Sequence, residues 1–156
     1  MYGKKQRILS LVSAGVFIAA LAVSSVHVCV SSRGTKRRVL YFHTFDSPSL
    51  VTEVRRMGAG APQGNEAAFV DELLLGPSTY RYKRLFPEGT ERDFCFARGG
   101  VLYVGLSARA LEAGHDTDGV KEGVSLLKKN IRKNFSGIKK VEVFIDGRPA
   151  YPDARR

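Results

Sequence analysis

Residues 8–30, ILSLVSAGVFIAALAVSSVHVCV, run for 23 positions without an Asp, Glu, Lys or Arg. As a helix rising about 1.5 Å per residue, such a run is about 34 Å long, enough to cross a hydrocarbon core of about 30 Å. A chain of 156 residues cannot hide this stretch in one small soluble core without distorting it. The expected organisation is therefore a basic cytoplasmic tail over 1–7, a single transmembrane signal anchor over 8–30, a basic linker over 31–38 and one folded extracytoplasmic domain over 39–156.

Two alternatives use the same residues. Lys4, Lys5 and Arg7 make the charged start of a signal peptide, with small residues at Ala22 and Ser24 for cleavage after Ser24. Cys29 offers a lipoprotein anchor, although His27 and Val28 before it suit that processing poorly. The anchor reading is preferred because apolar residues continue past Ser25 to Val30. Three basic residues precede the stretch and four follow it, so the positive-inside bias is nearly balanced.

The formal net charge is +10, and seven of the 25 Lys and Arg fall in the first 38 residues, where there is no acid. The remaining 118 residues hold 18 basic against 15 acidic side chains. The folded part is thus close to neutral, which argues against a nucleic-acid partner. The two cysteines, Cys29 and Cys95, give no disulfide framework; Cys95, within FCFA, reads as a small buried hydrophobe.

Along the folded part, 38–45 (RVLYFHTF) reads as a strand and 50–57 (LVTEVRRM) as an edge strand with Val51, Val54 and Met57 as its apolar set. GAGAPQG over 58–64 is a connector. A helix is expected over 65–75, capped by Asn65, with Ala68, Phe69, Leu73, Leu74 and Leu75 buried and Gly76-Pro77 ending it. Strands over 91–97 and 101–107 flank an Arg98-Gly99-Gly100 hairpin turn, and 107–113 reads as a short helical turn. A second helix over 117–134 carries Val120, Val124, Leu127 and Ile131, followed by Phe135, at spacings of four, three, four and four. A last strand, KKVEVFI over 139–145, runs into the tight turn Asp146-Gly147. This order predicts a small α/β (α+β) domain with a mixed or antiparallel sheet and two helices on one face.

Catalytic chemistry is not evident. There is no GxGxxG, Walker loop, CxxC pair or HExxH. Ser107, His115 and Asp116 make a poor triad because adjacent His and Asp cannot easily orient one another. His115, Asp116 and Asp118 have metal-ligand atom types, but a solvated helix start accounts for them better. No cofactor, metal or catalytic residue is expected. Two interaction surfaces are, besides the domain edge at Leu50–Met57. One is the basic face of the second helix (Lys121, Lys128, Lys129, Arg132, Lys133, joined by Lys139 and Lys140), suited to anionic lipid or an envelope polymer such as peptidoglycan, or simply solvated. The other is the loop of Tyr80, Arg81, Tyr82, Lys83, Arg84 and Phe86, with the Tyr and Arg composition of a contact surface or packed back over the sheet.

The series FVDELLLGP (69–77), FPEGT (86–90), GGVLYVGLS (99–107) and VEVFIDGRPA (141–150), in this order over about 110 residues, resembles the GerMN domain family of spore-germination and sporulation proteins. The chain departs from the family at Gly105, where an Asp typically precedes Leu-Ser, and in its strongly charged second helix. The resemblance implies a compact domain similar to ring-building motifs. It also implies a membrane-tethered, non-enzymatic role in the bacterial cell envelope through protein partners, the cell wall or self-assembly. It brings no catalytic residues.

Overall fold

The structure is a computed structural model that describes residues 13, 15–22, 24–25, 34–47, 49–112, 117 and 119–151. It divides into two compact units, Met1–Thr35 and Lys36–Arg156. In the first unit the described residues from 13 to 25 are helical, and Val16, Phe17, Ile18 and Leu21 are exposed. Among the described residues no helix is long and apolar enough to cross a membrane. A crossing needs about 20 consecutive apolar residues. Of the transmembrane helix expected over 8–30, positions 8–12, 14, 23 and 26–30 lie outside the described residues.

The second unit is a small α+β domain. Its strands are β1 Thr35–His43, β2 Leu50–Gly58, β3 Arg92–Arg98, β4 Val101–Leu106, β5 Lys140–Ile145 and β6 Arg148–Pro149. Its helices are α1 Asn65–Leu74 and α2 Val120–Asn134, with a 3-10 turn at Ala108–Leu111. β1 begins at Thr35, so Lys36, Arg37 and Arg38 are strand residues rather than linker.

Instead of one sheet there are two, β1-β2 and β3-β4-β5-β6. β3 and β4 are antiparallel across Gly99-Gly100, with Arg98 opposite Val101. β4 and β5 are parallel, which requires a long connection, and α2 lies within it. β5 turns at Asp146-Gly147 into the two-residue β6. Leu102, Val104 and Leu106 of β4 alternate onto the same face as Val141, Val143 and Ile145 of β5, and all six are buried. Phe69, Val70 and Leu73 of α1, Val124, Leu127 and Ile131 of α2, and Leu40 and Phe42 of β1 complete this core. Burying each such side chain contributes about 1.5–3 kcal/mol.

Two local expectations change. Asn65 does not cap α1: Gly64 stands at that position, and the Asn65 carboxamide accepts the Gly60 N–H at 2.9 Å instead. The buried side of α1 is Ala67, Phe69, Val70 and Leu73, whereas Leu75 is exposed. In α2, a Cβ at Gly123 would meet the Leu85 carbonyl oxygen at 2.3 Å, so glycine is what lets the helix approach the buried Leu85-Phe86 segment.

Candidate functional site

The outer edge of β1 is closed by side chains. Asn130 and Asn134 are four apart on α2 and so share one helix face. Asn130 accepts the Tyr41 N–H at 2.8 Å and donates to the Tyr41 carbonyl at 3.0 Å. Asn134 accepts the Val39 N–H at 3.0 Å and donates to the Val39 carbonyl at 2.7 Å. One step further along, the Lys83 amide donates to the His43 carbonyl at 2.8 Å. Each carboxamide thus offers β1 one acceptor and one donor, as a neighbouring strand would. This is why β1-β2 stands apart from the larger sheet. Nothing in the local pattern of α2 marked these asparagines, because their partners lie about 90 residues away.

The same docking gathers cations. Arg38 donates to the Asn134 carbonyl and lies 4.0 Å from the Phe135 ring centroid. Burial lowers its pKa, with Glu66 opposing. Lys129 sits 6.0 Å from the Tyr41 ring centroid. Arg132 and Lys133 are exposed, as are Lys36 and Arg37 on β1. Lys128, expected on this solvent face, is instead only 5% exposed, and its ammonium donates to the Tyr151 carbonyl at 2.9 Å. The long aliphatic stem makes such burial tolerable when the head group finds a partner.

The Tyr80 loop divides between the two readings. Tyr80 is 90% exposed and Arg81 is exposed, but Tyr82 packs partly against the core and bridges Thr44. Phe86 is fully in the core. The loop is half exposed and half packed cover.

β2 corrects the pairing of its apolar residues. Val51, Glu53, Arg55 and Met57 are half-buried, and Val54 is exposed. A strand has period two, so Val51 and Val54 cannot share a face. Arg55 bonds Glu53 and Glu72, both at 2.8 Å, and the Gly76 carbonyl at 2.6 Å. Ser78 donates to Glu53 through its N–H at 3.0 Å and its hydroxyl at 2.5 Å. Burial pushes the Glu53 carboxyl up, but the bonds from Ser78 and Arg55 and the charge of Arg55 outweigh it, and its pKa is lowered. A second ion pair, Arg92 to Asp71 at 2.7 and 3.0 Å, ties β3 to α1.

The face of the four-stranded sheet opposite the core carries Phe94, Phe96, Tyr103 and Phe144. Phe96 and Tyr103 stack at 5.1 Å, and Phe94 lies 5.8 Å from Phe144. Phe94 covers Gly105 so closely that a Cβ there would meet its ring at 2.3 Å. This is the position where the chain departs from the GerMN pattern, and the ring occupies the room a side chain would need. Cys95 is half-buried, and burial pushes its thiol up to about 11; it is protonated at neutral pH. Of the sequence candidates for chemistry, His115, Asp116 and Asp118 lie outside the described residues. Among the described residues no group of three or more His, Cys, Asp or Glu is arranged to hold a metal.

A family model described as Germane, sporulation and spore germination, matches residues 39–151. An uncharacterized lipoprotein of Treponema pallidum (strain Nichols) is 30% identical over 82 residues, which are 53% of this chain and 61% of that protein. The match thus spans less than two thirds of that relative. Among solved structures, the tandem GerMN domains of the sporulation protein GerM from Bacillus subtilis align with a TM-score of 0.57 at 17% identity, covering 74% of this chain and 40% of that one. The first GerMN domain of the same protein aligns with a TM-score of 0.54 at 17% identity, covering 74% of this chain and 86% of that one. At this identity the likeness is one of fold.

Proposed function

The chain belongs to the Germane family, sporulation and spore germination, and from that premise we propose a non-catalytic, membrane-anchored domain that mediates protein–protein contact or assembly in the bacterial cell envelope. Its work is tied to sporulation, germination or cell-wall processes. The single observation that carries this reading is the position of the family match, residues 39–151, eight residues after the uncharged stretch 8–30. The relative described as a lipoprotein supports attachment to a membrane. The folded domain then lies on the extracytoplasmic side, held by its N-terminal apolar segment as a single-pass anchor. Tethering raises local concentration, so modest contacts by a strand edge or a sheet face suffice.

The test is fractionation of the full-length chain from native membranes. It is expected in the membrane pellet, resistant to high salt and released by detergent, with the domain cleaved by protease added outside intact spheroplasts. Recovery in the cytosolic fraction overturns the reading, and so does multiple turnover of a substrate by the purified chain.

A second reading is favoured by one observation, the docking of Arg38 on β1 against Asn134 and Phe135 at the end of α2, where Arg132 and Lys133 are exposed. In this reading the domain binds an anionic lipid or envelope polymer. Co-sedimentation with anionic vesicles or cell-wall polymer that weakens with salt, and is lost in Lys129→Glu/Arg132→Glu/Lys133→Glu, supports it. Binding indifferent to both overturns it.

A further inference from the structure

We propose that the outer edge of β2 pairs with the same edge of a second copy of this chain, antiparallel, about a two-fold axis at Val54. The inference rests on the assembly role above and names its partner.

The edge is available. Among the described residues, no backbone N–H or carbonyl of Leu50–Gly58 is bonded to anything outside the β1-β2 pair. A strand nine residues long with such an edge is a template for another strand. The other long outer strand, β3, is less suited, because its register shifts between Arg92 and Phe94, and a bulge disrupts the ladder.

The strand is complementary to itself. Its sequence is LVTEVRRMG, with an acid before Val54 and a base after it. With Val54 opposite Val54 of the second copy, Glu53 faces Arg55, Val51 faces Met57 and Thr52 faces Arg56. Opposite charges and apolar pairs directly across a ladder are favourable, and like charges are not. The neighbouring registers fail on this ground. An axis at Glu53 sets Glu against Glu, and an axis at Arg55 sets Arg against Arg. An axis perpendicular to the sheet also keeps the core-facing residues 51, 53, 55 and 57 of both copies on one side. On the solvent side, pairing covers Val54, which is 47% exposed, with its counterpart.

The experiment uses the full-length chain with Cys29→Ser and Cys95→Ala. Val54→Cys is expected to oxidise to a disulfide-linked dimer. Thr52→Cys alone is not, because its counterpart lies four residues along the strand. A mixture of Thr52→Cys and Arg56→Cys chains is expected to give the mixed dimer. All three positions are exposed, so folding is not at stake. Separately, Val54→Asp and Val54→Lys are each expected to weaken self-association about tenfold, and mixing the two is expected to restore it. Equal cross-linking at positions 52 and 54, none at 54, or no restoration on mixing overturns the pairing. Membrane retention is scored in the same samples. Retention without pairing overturns this inference alone, whereas loss of the parent chain from the membrane overturns the assembly role beneath it.

Discussion

Along β1, the outward backbone groups of Val39 and Tyr41 meet carboxamides from α2, and the His43 carbonyl meets the Lys83 amide. Along β2, the corresponding outward groups meet no other part of the described domain. The two edges belong to one small sheet, yet one is closed and the other open. A closed edge serves the fold, because buried backbone groups left without partners are costly. An open edge carries no such obligation when water reaches it, and it stays available for association.

The difference can be broken from either side. Asn130→Leu has the largest expected effect. It removes partners from both the N–H and the carbonyl of Tyr41 at a site with no solvent exposure, and about 2–4 kcal/mol of stability is expected to be lost. Chemical denaturation monitored by circular dichroism measures it. Asn134→Ala is expected to cost about 1–2 kcal/mol in the same assay, because Asn134 is only partly buried and water can replace part of what it gives. An equal loss at both positions removes the argument that burial is what makes the seal matter.

The polar cluster behind β2 sharpens the comparison through pH. The Glu53 carboxyl is held below its unfolded pKa, so its contribution is fully present above about pH 4.3 and fades as pH falls through the lower, folded value. Glu53→Gln is expected to flatten the acid limb of the stability–pH curve below about pH 4.3, leaving its slope near neutrality unchanged. An unaltered acid limb counts against the cluster. The smallest effect is expected at the open edge itself. Val54→Asp is expected to change the stability of the dissociated chain by less than about 0.5 kcal/mol, as for an exposed substitution away from packed features. A larger loss in dilute denaturation means that the edge is needed by the domain's own fold.

Much of the domain is legible in the order of its residues. The 3.6-residue spacing of Val124, Leu127 and Ile131 marks the core face of α2, and the alternation of Val141, Val143 and Ile145 marks that of β5. Glycine pairs and Asp-Gly place the turns. The motif series marks the family. Less of the candidate surface is legible. Lys128 follows Leu127 on a charged helix, and nothing local says that its ammonium reaches the Tyr151 carbonyl. Val54 looks apolar and therefore inward, but Glu53 and Arg55 are held inward by Glu72, Gly76 and Ser78, residues 17–25 positions away.

Periodicity and turn chemistry act over a few residues, and so the strands, the helices, the apolar faces of α2 and β5 and the family are readable from the order of residues alone. Which strand edge would be sealed, which charged side chain would be buried and which loop aromatic would stay outside depended on groups brought together across most of the chain. Packing in three dimensions settled these, because a buried hydrogen bond is made wherever a partner arrives in space, however far away it lies along the chain.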